Sequence, residues 1–280
     1  MVAEKTKRIE WIDLAKGFCI VLVVLSHTSS TTEVKYPFSL QAMAFRMPLY
    51  FILSGLFFKQ YEGFIGFIKR KTNKLLIPFL FFFVFTGVLP ILYYHGTISE
   101  ALSTHPITFN ASIWFLLCLF FVNILFYCIQ YIAFTQKSRI VRISFVLIVS
   151  LLCGFIGLIL ASNQIRLPLY LDSALGAMPF FAFGWFLFRQ TDFLRSPFQA
   201  KDFLIAIAFL VVLWISAAPV EWYLNNILTS KPFILVYLSG ICGTMFVLYS
   251  FIFQRPSNDY RLFHIGADIQ LSSCAFKGRL

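Results

Sequence analysis

Asp13-Leu14-Ala15-Lys16-Gly17-Phe18-Cys19-Ile20-Val21-Leu22-Val23-Val24-Leu25-Ser26-His27 opens the first long apolar segment of the chain and decides its class. An ionisable group in a membrane helix is costly, so it faces a protein interior or a water-filled cavity. Eleven residues at about 100° each return to nearly the same face, with a rise of roughly 16 Å. Lys16 and His27 therefore share one stripe, half a bilayer apart. Asp13 lies one turn before Lys16 and is placed to pair with it. Such a stripe predicts a helix that lines a site in a bundle core. The bland alternative is a lysine snorkelling to one interface and a histidine capping the other end.

The rest of the composition agrees with a membrane chain. Hydrophobic residues make up 59% of the 280 residues and charged residues 12%, about half the charged share of a soluble protein. The net charge of +11 does not point to nucleic acid, because the basic residues sit in short loops between apolar runs. Six cysteines occur without a C-x-x-C pair; they read as small buried hydrophobes rather than a metal site or disulfide frame. His95, His105 and His264 have no ligand-like spacing, so no metal is expected.

Eight segments come near the roughly 20 residues needed to span a hydrocarbon core. They are 12–30, 38–58, 75–94, 112–134, 143–162, 169–188, 203–219 and 233–253. The N-terminus and every second loop carry Lys5, Lys7, Arg8, Lys59, Lys69, Arg70, Lys71, Lys74, Lys137, Arg139, Arg142, Arg189, Arg195 and Lys201. The tail adds Arg255, Arg261, Lys277 and Arg279, against Lys35, Arg166 and Lys231 in the opposite loops. This bias predicts an all-α polytopic membrane protein of about eight transmembrane helices with a cytoplasmic N-terminus. Residues 1–254 read as one membrane domain. The tail 255–280 reads as truncated or frame-altered, since Ile269–Gly278 is too polar and too short for a ninth span.

Four further stretches could carry chemistry. Arg46 stands in the second span beside Pro48; a proline frees a backbone carbonyl, and a broken helix at membrane depth lines protein or water. An arginine at the outer interface explains it equally well. Lys69, Arg70, Lys71 and Lys74 form a basic cluster, suited to topology, to anionic lipid or to polyphosphate. No Walker-type glycine pattern accompanies it, which argues against nucleotide hydrolysis. Trp114 enters the fourth span and suits either the interfacial belt or a sugar ring. Asp172 sits at the outer end of the sixth.

At these motifs the chain resembles acyltransferase family 3, integral membrane O-acyltransferases, and most of all its fucose 4-O-acetylase-like branch. The family's R/K-x10-H element matches Lys16 and His27, and its PLFFxxSG element matches Pro48 to Gly55. Its R-x-x-R-L-x-x-P element matches Lys71, Lys74, Leu75 and Pro78, with lysine for arginine. WFL matches Trp114, Phe115 and Leu116, and ALxxxPFFxxG matches Ala174 to Gly184. Family members usually have about ten spans.

The resemblance implies transfer of an acyl group, most often acetyl, from cytoplasmic acetyl-CoA to a hydroxyl of a cell-surface glycan or its lipid-linked precursor, in a bacterial inner membrane. Arg70, Lys71 and Lys74 would hold the CoA phosphates. His27 would act as general base or acyl carrier, with Asp13, Lys16 and Arg46 orienting groups or stabilising the oxyanion. Trp114 and Asp172 would meet the acceptor. The alternatives are a transporter or flippase of a lipid-linked sugar and a truncated, inactive family member.

Overall fold

The computed structural model describes residues 10–32, 38–60, 63–85, 89, 93, 114–136, 138–190, 199–217 and 233–252; at 10, 26–32, 188–190, 233 and 252 it describes the backbone alone. The tail 255–280 lies outside the described residues. Every described element is helical. Helix α1 is Glu10–Thr32, α2 Ser39–Leu56 and α3 Gly63–Lys71. A π-helical turn, Thr72–Leu76, joins α3 to α4, Ile77–Phe83. Then come α5 (Trp114–Ala133), α6 (Arg139–Ser162), a 3-10 turn (Pro168–Tyr170), α7 (Leu171–Gln190), α8 (Ala200–Ala217) and α9 (Phe233–Ile252).

Four of these helices, α5, α6, α8 and α9, are long and apolar enough to cross a membrane. Helices α1, α2 and α7 run to 23, 18 and 20 residues and carry Asp13, Lys16, Gln41, Arg46 and Asp172. The expected third span begins on the π turn. Pro78 has no N–H to donate back along the helix and its ring crowds the preceding turn. A widened turn just before it relieves that conflict.

Helix α2 is the hub. One face joins the cluster of Phe51, Ile52, Phe58, Phe67, Phe126, Phe181 and Trp185. The other joins Trp11, Ile12, Ala15 and Cys19 of α1 with Leu248 of α9. Helices α2 and α7 cross in direct backbone contact. A Cβ on Gly55 would run into the Phe181 carbonyl, and one on Gly184 into the Ile52 carbonyl. Glycine allows that approach, and close packing is what holds helices together where lipid competes with side chains. Gly157 of α6 meets the Gly176 backbone of α7 in the same way. Tyr237 of α9 donates to the Gly176 carbonyl at 2.8 Å. Large apolar side chains such as Val24, Ile148, Leu152, Leu204 and Ile215 are exposed on the outside of the bundle, as lipid-facing residues are.

Ring contacts give the relative directions. Trp114 at the start of α5 lies 6.1 Å from Tyr170 just before α7, and Phe126 further along α5 meets Phe181 and Trp185 further along α7. The two helices run parallel. Helix α1 runs against α2: Tyr50 donates to the Lys16 carbonyl at 3.4 Å, and the Cys19 thiol to the Arg46 carbonyl at 2.9 Å. One end of the bundle thus holds the start of α1, the finish of α2 and α3. The opposite end holds Trp114, Tyr170 and Asp172.

Candidate functional site

The first end is basic. Gly66, Lys69, Arg70, Asn73 and Lys74 line an open depression of about 400 Å³. Their spacing of three and four residues puts them on one helical stripe. Lys71 lies on the other side of that helix. Its ammonium sits 5.5 Å over the Phe67 ring, and Phe67 is fully buried. Burial there, and then the neighbouring Lys74, pulls the Lys71 ammonium down from 10.5 to about 8. Arg70, Lys71 and Lys74, grouped by sequence, are therefore divided by the fold. Arg70 and Lys74 face the depression, joined by Lys69 and Asn73. The signal for those two was the helical spacing itself.

Lys16 belongs to this same end. Its ammonium pairs with Asp13 at 3.1 Å, with both side chains substantially exposed at 38% and 48%. It also lies 5.0 Å over the Phe57 ring. Phe58, the next residue, meets Phe67 edge-on at 5.7 Å. Lys16 and Lys71 thus flank a short aromatic bridge. The core stripe expected to carry Lys16 is instead Trp11, Ile12, Ala15 and Cys19, all buried. Lys16 falls at its edge, where the ammonium keeps its water. His27 lies on α1 farther toward the opposite end; its side chain is outside the described residues.

Arg46 is 9% exposed, so it is buried on α2 rather than displayed at a surface. Its carbonyl accepts the Cys19 thiol. That places its backbone abreast of α1 between Lys16 and His27. Pro48 cannot donate to the Ala44 carbonyl, which leaves a polar backbone group close by.

The opposite end gathers Trp114 and Asp172 around Tyr170. Arg166 pairs with Asp172 at 3.2 Å, the carboxylate buried and the arginine one-third exposed. Leu169 and Tyr170 have φ of 60° and 57°, a left-handed backbone that costs about 1–3 kcal/mol each in a side-chain-bearing residue. The Tyr170 hydroxyl is buried and has no hydrogen-bond partner among the described residues. Sequence reasoning passed over Tyr170; the strained turn that buries it has no local signature beyond Pro168. No cluster of three metal-ligating side chains occurs among the described residues.

The acyltransferase domain of acyltransferase family 3 matches residues 9–273. The chain belongs to this family. Neither curated proteins nor solved structures gave a match. Family 3 membership makes the chain a membrane acyltransferase, an enzyme that moves acyl groups. It fits the exposed apolar helices and a bundle with a basic end opposite the Arg166–Asp172 pair.

Proposed function

We propose that the chain is a membrane O-acyltransferase that moves an acetyl group from acetyl-CoA to a hydroxyl of a cell-surface polysaccharide or its lipid-linked precursor. It crosses a bacterial inner membrane eight times from a cytoplasmic N-terminus, and follows the fucose 4-O-acetylase-like branch. The observation that carries this reading, beside family membership, is the basic stripe of Lys69, Arg70, Asn73 and Lys74 over an open depression. Four donors on one face suit the phosphates of CoA, with lysine as a point charge and arginine as a fork. Gly66 keeps that face low, and Lys71 adds its charge from behind.

In the reaction the acceptor oxygen attacks the thioester carbonyl, the C–S bond breaks, and the hydroxyl proton passes through His27 to the departing thiolate. His27 is the general base of this step, or the carrier if the acyl group rests on its ring first. Arg46, buried at mid-helix, stabilises the oxyanion. Lys16, held by Asp13, guards the donor side. Trp114 offers a ring face and Asp172 a carboxylate to the acceptor sugar.

The test is transfer of radiolabelled acetyl from acetyl-CoA to endogenous glycolipid in membranes holding the wild type or His27→Ala. Label in the first and none in the second is expected. Label from neither, with the protein inserted, overturns the reading; equal label from both removes His27 from the chemistry.

A further inference from the structure

Helix α5 carries two buried carboxamides that the proposed chemistry does not use. Asn123 is 1% exposed and Gln130 6%. The Asn123 amide nitrogen donates to the Leu119 carbonyl at 2.7 Å, which turns its oxygen outward from the helix. That oxygen, and the Gln130 amide nitrogen, have no hydrogen-bond partner among the described residues. Buried polar groups of this kind weaken a fold unless something pairs with them.

Their direction follows from the neighbouring rings. Phe126 faces the α2–α7 core, within 5.0 Å of Phe58 and 4.9 Å of Phe181. Tyr127, about 100° further round, faces α3, 4.6 Å from Phe67 and 5.4 Å from Phe64. By the same helical rotation Asn123 and Gln130 project about 60° and 40° from Phe126 toward Tyr127. Both enter the seam between the core and the basic segment. They are two turns apart, about 10 Å along the axis, with Gln130 nearer the basic end. The part of that segment that also packs on α5 is the π turn Thr72–Leu76, whose wide backbone recurs at functional sites.

We propose that this seam receives the linear, amide-bearing arm that joins the phosphates of an acyl-CoA to its thioester. The inference rests on the donor reading above. The arm's two secondary amides present carbonyls and N–H groups in series, the complement of an open amide nitrogen at Gln130 and an open amide oxygen at Asn123. The phosphates lie outside on the stripe of Lys69, Arg70 and Lys74, and the thioester reaches inward past Asn123.

The experiment compares binding of CoA and of adenosine 3′-phosphate 5′-diphosphate, which keeps all three phosphates and lacks only the arm, to the full chain purified in detergent. The wild type should bind CoA the more tightly. In Asn123→Leu/Gln130→Met the CoA affinity should fall on the order of tenfold, two neutral hydrogen bonds' worth, while binding of the armless nucleotide stays unchanged and reports an intact fold. A CoA advantage that survives in the variant overturns the seam but leaves the donor reading. Absence of binding of either ligand to the wild type overturns both. Unliganded, the variant should melt no lower than the wild type, since apolar groups replace two amides that each leave a buried polar atom unpaired, and this offsets the lost bond from Asn123 to the Leu119 carbonyl; a lower melting point with both affinities reduced overturns the inference in favour of a structural role.

Discussion

Replacing glycine by alanine should change stability in opposite directions at two positions. At Gly17 a Cβ meets nothing within 4 Å. Alanine there gains only helix propensity, about 1 kcal/mol. At Gly55 the same Cβ runs into the Phe181 carbonyl, which is backbone and cannot swing away. The propensity gain of about 1 kcal/mol then meets an overpacking cost of about 3 kcal/mol, the upper part of the usual range because two helices must part. The net is a loss of about 2 kcal/mol. Unfolding of the purified chain by heat or by denaturing detergent, followed by helical circular dichroism, measures both variants. Gly17→Ala should unfold later than the wild type and Gly55→Ala earlier. Should Gly55→Ala prove as stable as the wild type, the α2–α7 backbone contact is refuted. Should Gly17→Ala lose as much as Gly55→Ala, the reasoning from local space fails altogether.

Lys71 predicts a pH effect. With its folded value near 8 and its ordinary value at 10.5, the unfolded chain holds a proton between those limits that the folded chain has released, so stability rises with pH across that window. Lys71→Met should flatten the rise and stabilise the chain below pH 8; a slope unchanged in the variant refutes the assignment. Arg70→Ala and Lys74→Ala should each raise the KM for acetyl-CoA about three- to tenfold at low salt, converging on the wild type near 1 M salt, where charges are screened beyond about 3 Å. A salt-independent deficit would count against a phosphate site. Asp172→Asn should cost no more than about 1 kcal/mol of stability, because Arg166 is one-third exposed and recovers water. Its acceptor KM should rise; an unchanged acceptor KM removes Asp172 from recognition.

Much of the architecture was legible in the chain itself. Runs such as Leu116–Ala133 and Phe145–Ala161 have too few polar groups to be anything but helices against lipid or protein, since unpaired backbone is prohibitive there. Pro48 marked a carbonyl without its helical N–H donor through covalent chemistry alone, although the helix runs on unbroken through it; the widened turn before Pro78 emerged only with the structure. The basic cluster, Trp114 and Asp172 were visible as residue types out of place in apolar surroundings. Direction was not visible. Arg70, Lys71 and Lys74 are neighbours in the chain, yet a helical rotation of about 100° per residue sends two to an open depression and the third onto Phe67. Lys16 shares a stripe with His27 on paper, but which stripe of α1 is buried depends on where α2 and α9 press, and they cover Ala15 and Cys19. Tyr170, Asn123 and Gln130 look ordinary in sequence. Only packing decides that a hydroxyl or an amide is shut away from water, and hence that it needs a partner.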